Sequence, residues 1–237
     1  MAKMCRPMAP QQSARGIAFF DLDHTLVDGD SDTSFLGYLA ERLDFEPEVE
    51  EEKSKIHQAY LEGQPWQEAY RRLLVRIYGG REVATLREWS AVHARERVLP
   101  MLFAGARELL ERERGRRRQL CLLTTTNQVV TEPLVQELGL DVLLSTRLEE
   151  QDGVLNGRLV GDFCTGPGKA RALLDHCRRE QVDPADCAMF GDGRSDMEAL
   201  AAVGEPVAVH PTPGLRDQAR RLAWPILDLR DGIRPQT

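Results

Sequence analysis

Short apolar segments, each running into a polar or glycine-rich cluster, set the tightest limit on what this chain can fold into. Four are clear: Ile17–Leu22, Leu120–Thr124, Ala188–Phe190 and Pro206–Val209; Leu140–Leu144 reads as a fifth and Pro225–Leu229 as a candidate sixth. Most are followed by a helical pattern. Continuous apolar strands alternating with helices build a parallel sheet covered on both faces. The expected fold is therefore α/β, a Rossmann-like doubly wound parallel sheet. Its crossovers are right-handed and its ligands gather at the carboxyl ends of the strands.

The segments are unevenly spaced. About 100 residues separate the first from the second, where a βαβ crossover needs only about 30. A helix over Ala104–Arg114 accounts for the last part, leaving Ser31–Pro100 as an insert. Helical apolar spacing in Phe35-Leu36-Tyr38-Leu39-Leu43 and Tyr70-Leu73-Leu74-Ile77-Tyr78, broken at Gly79-Gly80, predicts an all-helical cap over the strand ends. The expected division is a disordered tail at 1–15, an α/β core at 16–30 and 101–230, and the cap at 31–100. Asn156-Gly157, inside Gly153–Val160, predicts the turn of a β-hairpin.

Composition excludes some classes. With 237 residues and 42% hydrophobic content, the chain can bury roughly 70–75% of its unfolded surface. No apolar run reaches the roughly 18–20 residues of a membrane span, and residues 1–15 lack the apolar centre of a secretory signal. The five cysteines are scattered without a C-x-x-C pair, as expected of reduced thiols in a cytoplasmic protein. A net charge of −7 argues against a nucleic-acid partner. The one basic run, Arg112–Arg118, reads as a solvated helix end.

Four clusters carry candidate chemistry. Asp21 and Asp23 close the first apolar segment, two apart and so on one side of an extended chain. Paired carboxylates repel unless a cation sits beside them, and hard Mg²⁺ suits them; an Asp pair capping a turn is the plainer alternative. Thr124-Thr125-Thr126-Asn127 offers hydroxyls and backbone N–H groups at a helix start, suited to a phosphate or simply to an N-cap. Lys169 lies in the first turn of a helix, where the macrodipole disfavours a cation unless an anion is near or the side chain bends to solvent. Gly191-Asp192-Gly193 makes a tight turn presenting Asp192, with Asp196 in the next helix's first turn, a position that the helix dipole alone also favours. Taken together in chain order, the acidic clusters fit a metal, and the Thr hydroxyl and Lys ammonium fit a phosphoryl group.

These four motifs, in this order and spacing from Ile17 to about Leu227, resemble the haloacid dehalogenase superfamily of aspartyl-phosphate enzymes, in the phosphoserine phosphatase-like branch. The resemblance implies a Mg²⁺-dependent phosphomonoester hydrolase. In it Asp21 is the nucleophile, Asp23 the general acid and base, and Thr124 and Lys169 hold the phosphoryl group. It further implies Mg²⁺ on the Asp21 carboxylate, the Asp23 carbonyl and Asp192, with Asp196 and Asn127 in support. An acid at Asp23 favours phosphoryl chemistry over carbon–halogen cleavage. Asp30 stands where phosphoserine phosphatases place a Glu on the substrate amine, though it also suits the cap of a helix starting near Ser31. Thr124-Thr-Thr-Asn127 replaces the usual Ser-Gly-Gly, and Ser195 stands where Asn is common. The expectation is therefore a small phosphorylated metabolite, an amino acid or amino alcohol phosphate of the phosphoserine or histidinol phosphate type. A phosphomutase or phosphotransferase, or a lipid-phosphate phosphatase, is the alternative on the same scaffold. A small-molecule partner is expected, and neither nucleic acid nor membrane.

Overall fold

The computed structural model describes residues 16–43 and 47–236; the expected tail at 1–15 lies outside them. In chain order the elements begin with β1 (Ile17–Phe20). The insert follows with α1 (Ser31–Ala40), α2 (Pro47–Leu61), α3 (Gln67–Tyr78), a short β2 (Arg81–Glu82) and α4 (Val83–His93). The chain continues through α5 (Ala106–Gly115), β3 (Gln119–Asn127), α6 (Gln128–Glu137), β4 (Val142–Thr146), β5 (Leu148–Gln151) and β6 (Val154–Leu159). It ends with α7 (Pro167–Glu180), β7 (Ala188–Gly191), α8 (Met197–Ala201), β8 (Glu205–Val209), α9 (Pro213–Arg221), β9 (Ile226–Asp228) and β10 (Arg234–Gln236).

The main sheet has seven strands in the order β10-β9-β8-β7-β1-β3-β4, all parallel except β10. β1 is buried throughout and feeds two cores by its period of two. Ala18 and Phe20 pack with Leu109, Leu122 and Phe190, while Ile17 and Phe19 pack with Cys121, Leu173 and Met189 on the other face. Successive strands run outward from β1 in both directions, so β1 is the switch point where an α/β sheet opens a crevice for ligand. Register fixes what faces that crevice: Phe20 pairs with Leu122 on β3 and Phe190 on β7.

Several expectations shift. The segment read as Leu140–Leu144 pairs only from Val142, with Leu140 buried in the turn before it. The sixth strand forms as β9, and β10 adds a seventh, antiparallel one. The insert is helical except for β2, which pairs with β6 (Arg81↔Leu155), so a hairpin from beyond β4 completes a small three-stranded sheet with the insert. The hairpin turns at Asp152-Gly153, both at positive φ, and not at Asn156-Gly157. Asp-Gly is as strong a type I′ signal as Asn-Gly; Gly157 has a different task. A Cβ there would lie 2.5 Å from the Val75 Cα and 2.6 Å from the Leu74 carbonyl oxygen, so only glycine lets β6 lie against α3.

The basic run is an ion-pair network and not merely a solvated helix end. Arg112, Arg116 and Arg118 converge on fully buried Glu113, and Arg116 and Arg118 also reach Glu205 at the start of β8. Cys121, Cys164, Cys177 and Cys187 are buried free thiols. Among the described residues no helix is long and apolar enough to cross a membrane.

Candidate active site

The carboxyl ends of β1, β3 and β7 and the start of α7 meet at one crevice. The Asp21 amide bonds the Phe190 carbonyl at 2.9 Å, which extends β1 alongside β7 and presents the Asp21 carboxyl at the sheet's carboxyl edge. The chain then coils: the N–H groups of Thr25, Leu26 and Val27 all bond the Leu22 carbonyl. That coil returns the Thr25 hydroxyl to donate to Asp21 Oδ2 at 3.2 Å. Asp23 lies on the same side. It accepts from the Ser31 N–H at 2.7 Å, at the first residue of α1, and from the Thr126 hydroxyl at 2.8 Å.

Lys169 does not bend to solvent. Its Nζ, fully buried, lies 2.7 Å from Asp21 Oδ1 and 2.5 Å from Asp196 Oδ1. Burial works against the charge on Lys169, but the two carboxylates outweigh it and hold the amine well above its ordinary range. Asp196 spends its other oxygen on the backbone N–H groups of Asp192 and Gly193, both at 3.1 Å, and so shapes the loop that presents Asp192. Gly191 is required there, since a Cβ would sit 2.6 Å from the Asp196 Cγ.

Carboxylate oxygens of Asp21, Asp192 and Asp196 lie within 4.8 Å of one another. One ammonium does not balance three acids. Burial, then the charges of Asp196 and Asp21, push Asp192 up to about 9. Burial raises Asp21 to about 6 against the pull of Lys169, and burial with Asp30 and Asp21 raises Asp23 to about 7. Crowded hard oxygen donors with excess negative charge fit a divalent cation. Asp196 has little left to offer one, because Lys169 and two N–H groups already occupy it.

The three threonines belong to the end of β3, and α6 starts directly after Asn127. The register with β4 slips between Thr124 and Asn127, which turns Thr124, Thr125 and Thr126 toward the cavity wall. Thr124 Oγ1 accepts the Thr126 N–H at 3.2 Å, and the Thr125 hydroxyl donates to the Cys164 carbonyl at 3.0 Å. Asn127 stands apart from the cavity. Its side-chain oxygen caps α6 by accepting the Val129 N–H at 3.0 Å, and its Nδ2 donates to the Tyr78 hydroxyl at 3.1 Å. Asp30 is both things at once: its carboxyl caps α1 by accepting the Thr33 N–H at 2.6 Å, and it lines the cavity.

The cavity above Asp21 is about 830 Å³, within the usual range for a small-molecule site. Its far wall comes from the insert and carries Asp32, Lys53, His57, Tyr60 and Trp66, which have no counterpart in the sequence reading, and Tyr70, which was read there only as part of an apolar helix face. Burial raises the Tyr60 phenol, and hydrogen bonding to Ser195 offsets part of that. The insert thus reaches across to the fourth motif. Thr126, which bonds Asp23, was also absent from the roles assigned by sequence; its place beside Thr124 was the available signal.

The family model for haloacid dehalogenase-like hydrolases matches residues 18–201. The chain belongs to that family. Phosphoserine phosphatase SerB1 of Mycobacterium tuberculosis is 31% identical over 228 residues, covering 90% of this chain and 70% of the relative. The histidinol-phosphatase of Neisseria meningitidis serogroup C is 26% identical over 221 residues, covering 91% of this chain and 100% of the relative. A solved structure of a Bordetella pertussis protein of unknown function superposes with a TM-score of 0.83 at 27% identity, covering 92% and 100% of the two chains. A phospho-aspartyl intermediate analogue of phosphoserine phosphatase shares the fold, with a TM-score of 0.67 at 20% identity over 94% of this chain and 95% of that one. Within the family this haloacid dehalogenase-like chain sits in the branch of phosphatases that resemble phosphoserine phosphatase and histidinol-phosphatase.

Proposed function

We propose that this phosphatase hydrolyses small phosphomonoesters through a phosphoaspartate on Asp21, with Mg²⁺ as cofactor. The observation that carries the reading is the buried Lys169 ammonium 2.7 Å from Asp21, beneath the cavity that the insert walls. An ammonium so placed orients the carboxylate and supplies positive charge to an incoming phosphoryl group. Asp21 forms the new O–P bond as the bond from phosphorus to the leaving oxygen breaks. Asp23, raised to about 7, has the affinity to give that oxygen a proton near neutral pH and then to take one from the water that cleaves the phosphoaspartate. The Ser31 N–H and the Thr126 hydroxyl hold the Asp23 carboxyl in place for both transfers. Thr124 offers its hydroxyl to a phosphoryl oxygen. Asp21, the Asp23 carbonyl and Asp192 are the residues to hold Mg²⁺, which when bound supplies the charge that lets an anion approach a phosphate dianion. Asp196 positions Lys169 and the Asp192 loop; Asn127 supports the site from outside the cavity, by capping α6 and bonding Tyr78 of the insert.

The leaving group lies toward the insert, whose closure excludes bulk water. Asp30 on that side supports an aminated substrate of the phosphoserine or histidinol phosphate type. A lipid substrate calls for an exposed apolar strip, and among the described residues the exposed large hydrophobics are Val75, Val160 and Leu222 alone. The test is p-nitrophenyl phosphate turnover with Mg²⁺, with chelator, and in Asp21→Asn. Chelator and substitution should each abolish it, with a cooperative thermal melt showing that the variant is folded. Turnover that survives Asp21→Asn removes the proposal.

A further inference from the structure

The insert's wall of the cavity handles charge in a way that bears on which leaving group it takes. Lys53 of α2 is the only Lys or Arg that the described part of the insert presents to the cavity. It is 8% exposed and donates to Asp32 Oδ2 at 2.8 Å. The same oxygen accepts the Tyr70 hydroxyl from α3. Asp32 is therefore fully compensated, and Lys53 is committed to it. Asp30 is not. One of its oxygens takes a neutral backbone donor, Thr33 N–H, and the other has, among the described residues, only the imidazole of His57, half-exposed and 3.8 Å away. Around them Trp66 and Tyr70 pack against Phe163, with ring centroids 5.0 and 5.7 Å from it, and Tyr60 meets Trp66 edge-on at 5.6 Å.

A buried ion pair is seldom worth more to stability than apolar residues of the same volume. The Lys53–Asp32 pair on a cavity wall is thus poorly explained as scaffolding. We infer that Lys53 is a specificity-determining residue: by neutralising Asp32 it leaves Asp30 as the single open acid of an aromatic-walled subsite, which selects amino-alcohol phosphates over phosphorylated amino acids. The ammonium of the leaving group meets Asp30 and the ring faces, with which cations interact favourably. A carboxylate on the same carbon lies near Asp30, a like-charge approach, and finds no free cation among the described residues of the insert; the cavity's guanidiniums, Arg194 and Arg230, come from the core. This inference rests on the phosphatase reading above.

The experiment measures kcat/KM with Mg²⁺ for O-phosphoethanolamine and O-phosphoserine, which differ by one carboxylate, and for histidinol phosphate, which carries a ring in its place. p-Nitrophenyl phosphate, lacking both charges, is the control. Both amino-alcohol esters should exceed O-phosphoserine by about tenfold or more, because like-charge juxtaposition is heavily penalised. Asp32→Asn frees Lys53 for a carboxylate and should move the ratio toward O-phosphoserine by about tenfold. Lys53→Met leaves a second open acid and should move it the other way. The two variants have opposite expected signs, so either one that melts like the parent suffices, and the wild-type ratio decides even if neither does. O-phosphoserine equal to or better than O-phosphoethanolamine overturns the inference, as does a ratio that ignores a folded variant. Hydrolysis of p-nitrophenyl phosphate with a flat ratio sinks the specificity alone; no hydrolysis of any ester sinks the phosphatase reading itself.

Discussion

The two walls of the cavity treat charge in opposite ways. On the core wall Asp21, Asp192 and Asp196 share one ammonium, and Asp192 stays raised to about 9. On the insert's wall Lys53 and Asp32 pair one to one and Tyr70 adds a further donor. The core wall is short of positive charge; the insert's wall is nearly balanced. A site that must draw in a phosphate dianion, with its metal, gains from that shortage, since every arriving cation is bound tightly. A subsite that must discriminate among leaving groups gains from balance, because one unpaired charge then decides.

The largest effect that sharpens this contrast is expected at Lys169. Lys169→Met should lower kcat/KM by at least the roughly 10²–10³-fold that loss of one preorganised stabilising donor costs. It should also destabilise the metal-free protein by about 3–5 kcal/mol, because removing one partner of a buried pair leaves the other charges uncompensated. Lys53→Met strips only one acid of its partner, and Tyr70 still serves that acid, so its melt should fall less. Equal melting shifts for the two variants would erase the difference between the walls.

Metal comes next. The folded-state values of Asp21, Asp23 and Asp192, about 6, 7 and 9, all lie above the ordinary carboxyl range near 4. The folded state therefore holds more protons than the unfolded state as pH rises from about 4 to 9. Metal-free stability should be greatest below about pH 4 as far as these groups are concerned, and should decline through that window. Bound Mg²⁺ favours the ionised carboxylates, so it should flatten the decline and add about 2.7 kcal/mol at a hundredfold excess over its Kd. Thermal melts at pH 5 and pH 8, with Mg²⁺ and with chelator, measure both. A melting temperature that is the same at both pH values without metal contradicts a charge-starved core wall.

A smaller, catalytic effect separates Asp23 from its neighbours. With Asp23 raised to about 7, the protonated fraction available to the leaving group falls about tenfold per pH unit above that value. The alkaline limb of kcat should follow it for poor leaving groups and be weak for p-nitrophenyl phosphate, whose leaving oxygen needs little protonation. Asp23→Asn should remove that limb for alkyl phosphates along with most of their turnover. A limb that persists in Asp23→Asn belongs to another group.

The two walls also differed in how plainly the sequence announced them. Asp21, Thr124, Lys169, Asp192 and Asp196 each follow a short apolar run or open a helix, and sheet register alone brings such positions to one edge. Lys53 and Tyr70 lie 21 and 38 residues from Asp32 along three helices; read singly, Asp32 and Lys53 look like parts of a solvated helix face and Tyr70 like part of an apolar one. Only the packing of α1, α2 and α3 joins them, and no local pattern encodes a helix–helix crossing angle. The hairpin failed for a related reason. Asn156-Gly157 and Asp152-Gly153 are equivalent as turn signals, and the choice between them was made by α3, against which only Gly157 leaves room.

The smallest expected effect concerns Asn127, which the sequence grouped with the threonines proposed to meet the phosphoryl group and the fold places between α6 and the insert. Its side chain does two separable things: the oxygen caps α6 through the Val129 N–H, and the amide nitrogen bonds Tyr78 at the end of α3. Asn127→Ser keeps a capping oxygen and loses the clasp, whereas Asn127→Ala loses both. Loss of the cap should cost about 1 kcal/mol, and loss of the clasp about 0.5–1.5 kcal/mol. Tyr78→Phe should reproduce the clasp component, and in the Asn127→Ser background it should add nearly nothing, since the bond is already gone. kcat should change less than twofold in all three if Asn127 acts only as an anchor. A fall in kcat comparable to that of a phosphoryl-binding group would move Asn127 to the core wall, and with it the boundary between the part of the cavity that reacts and the part that recognises.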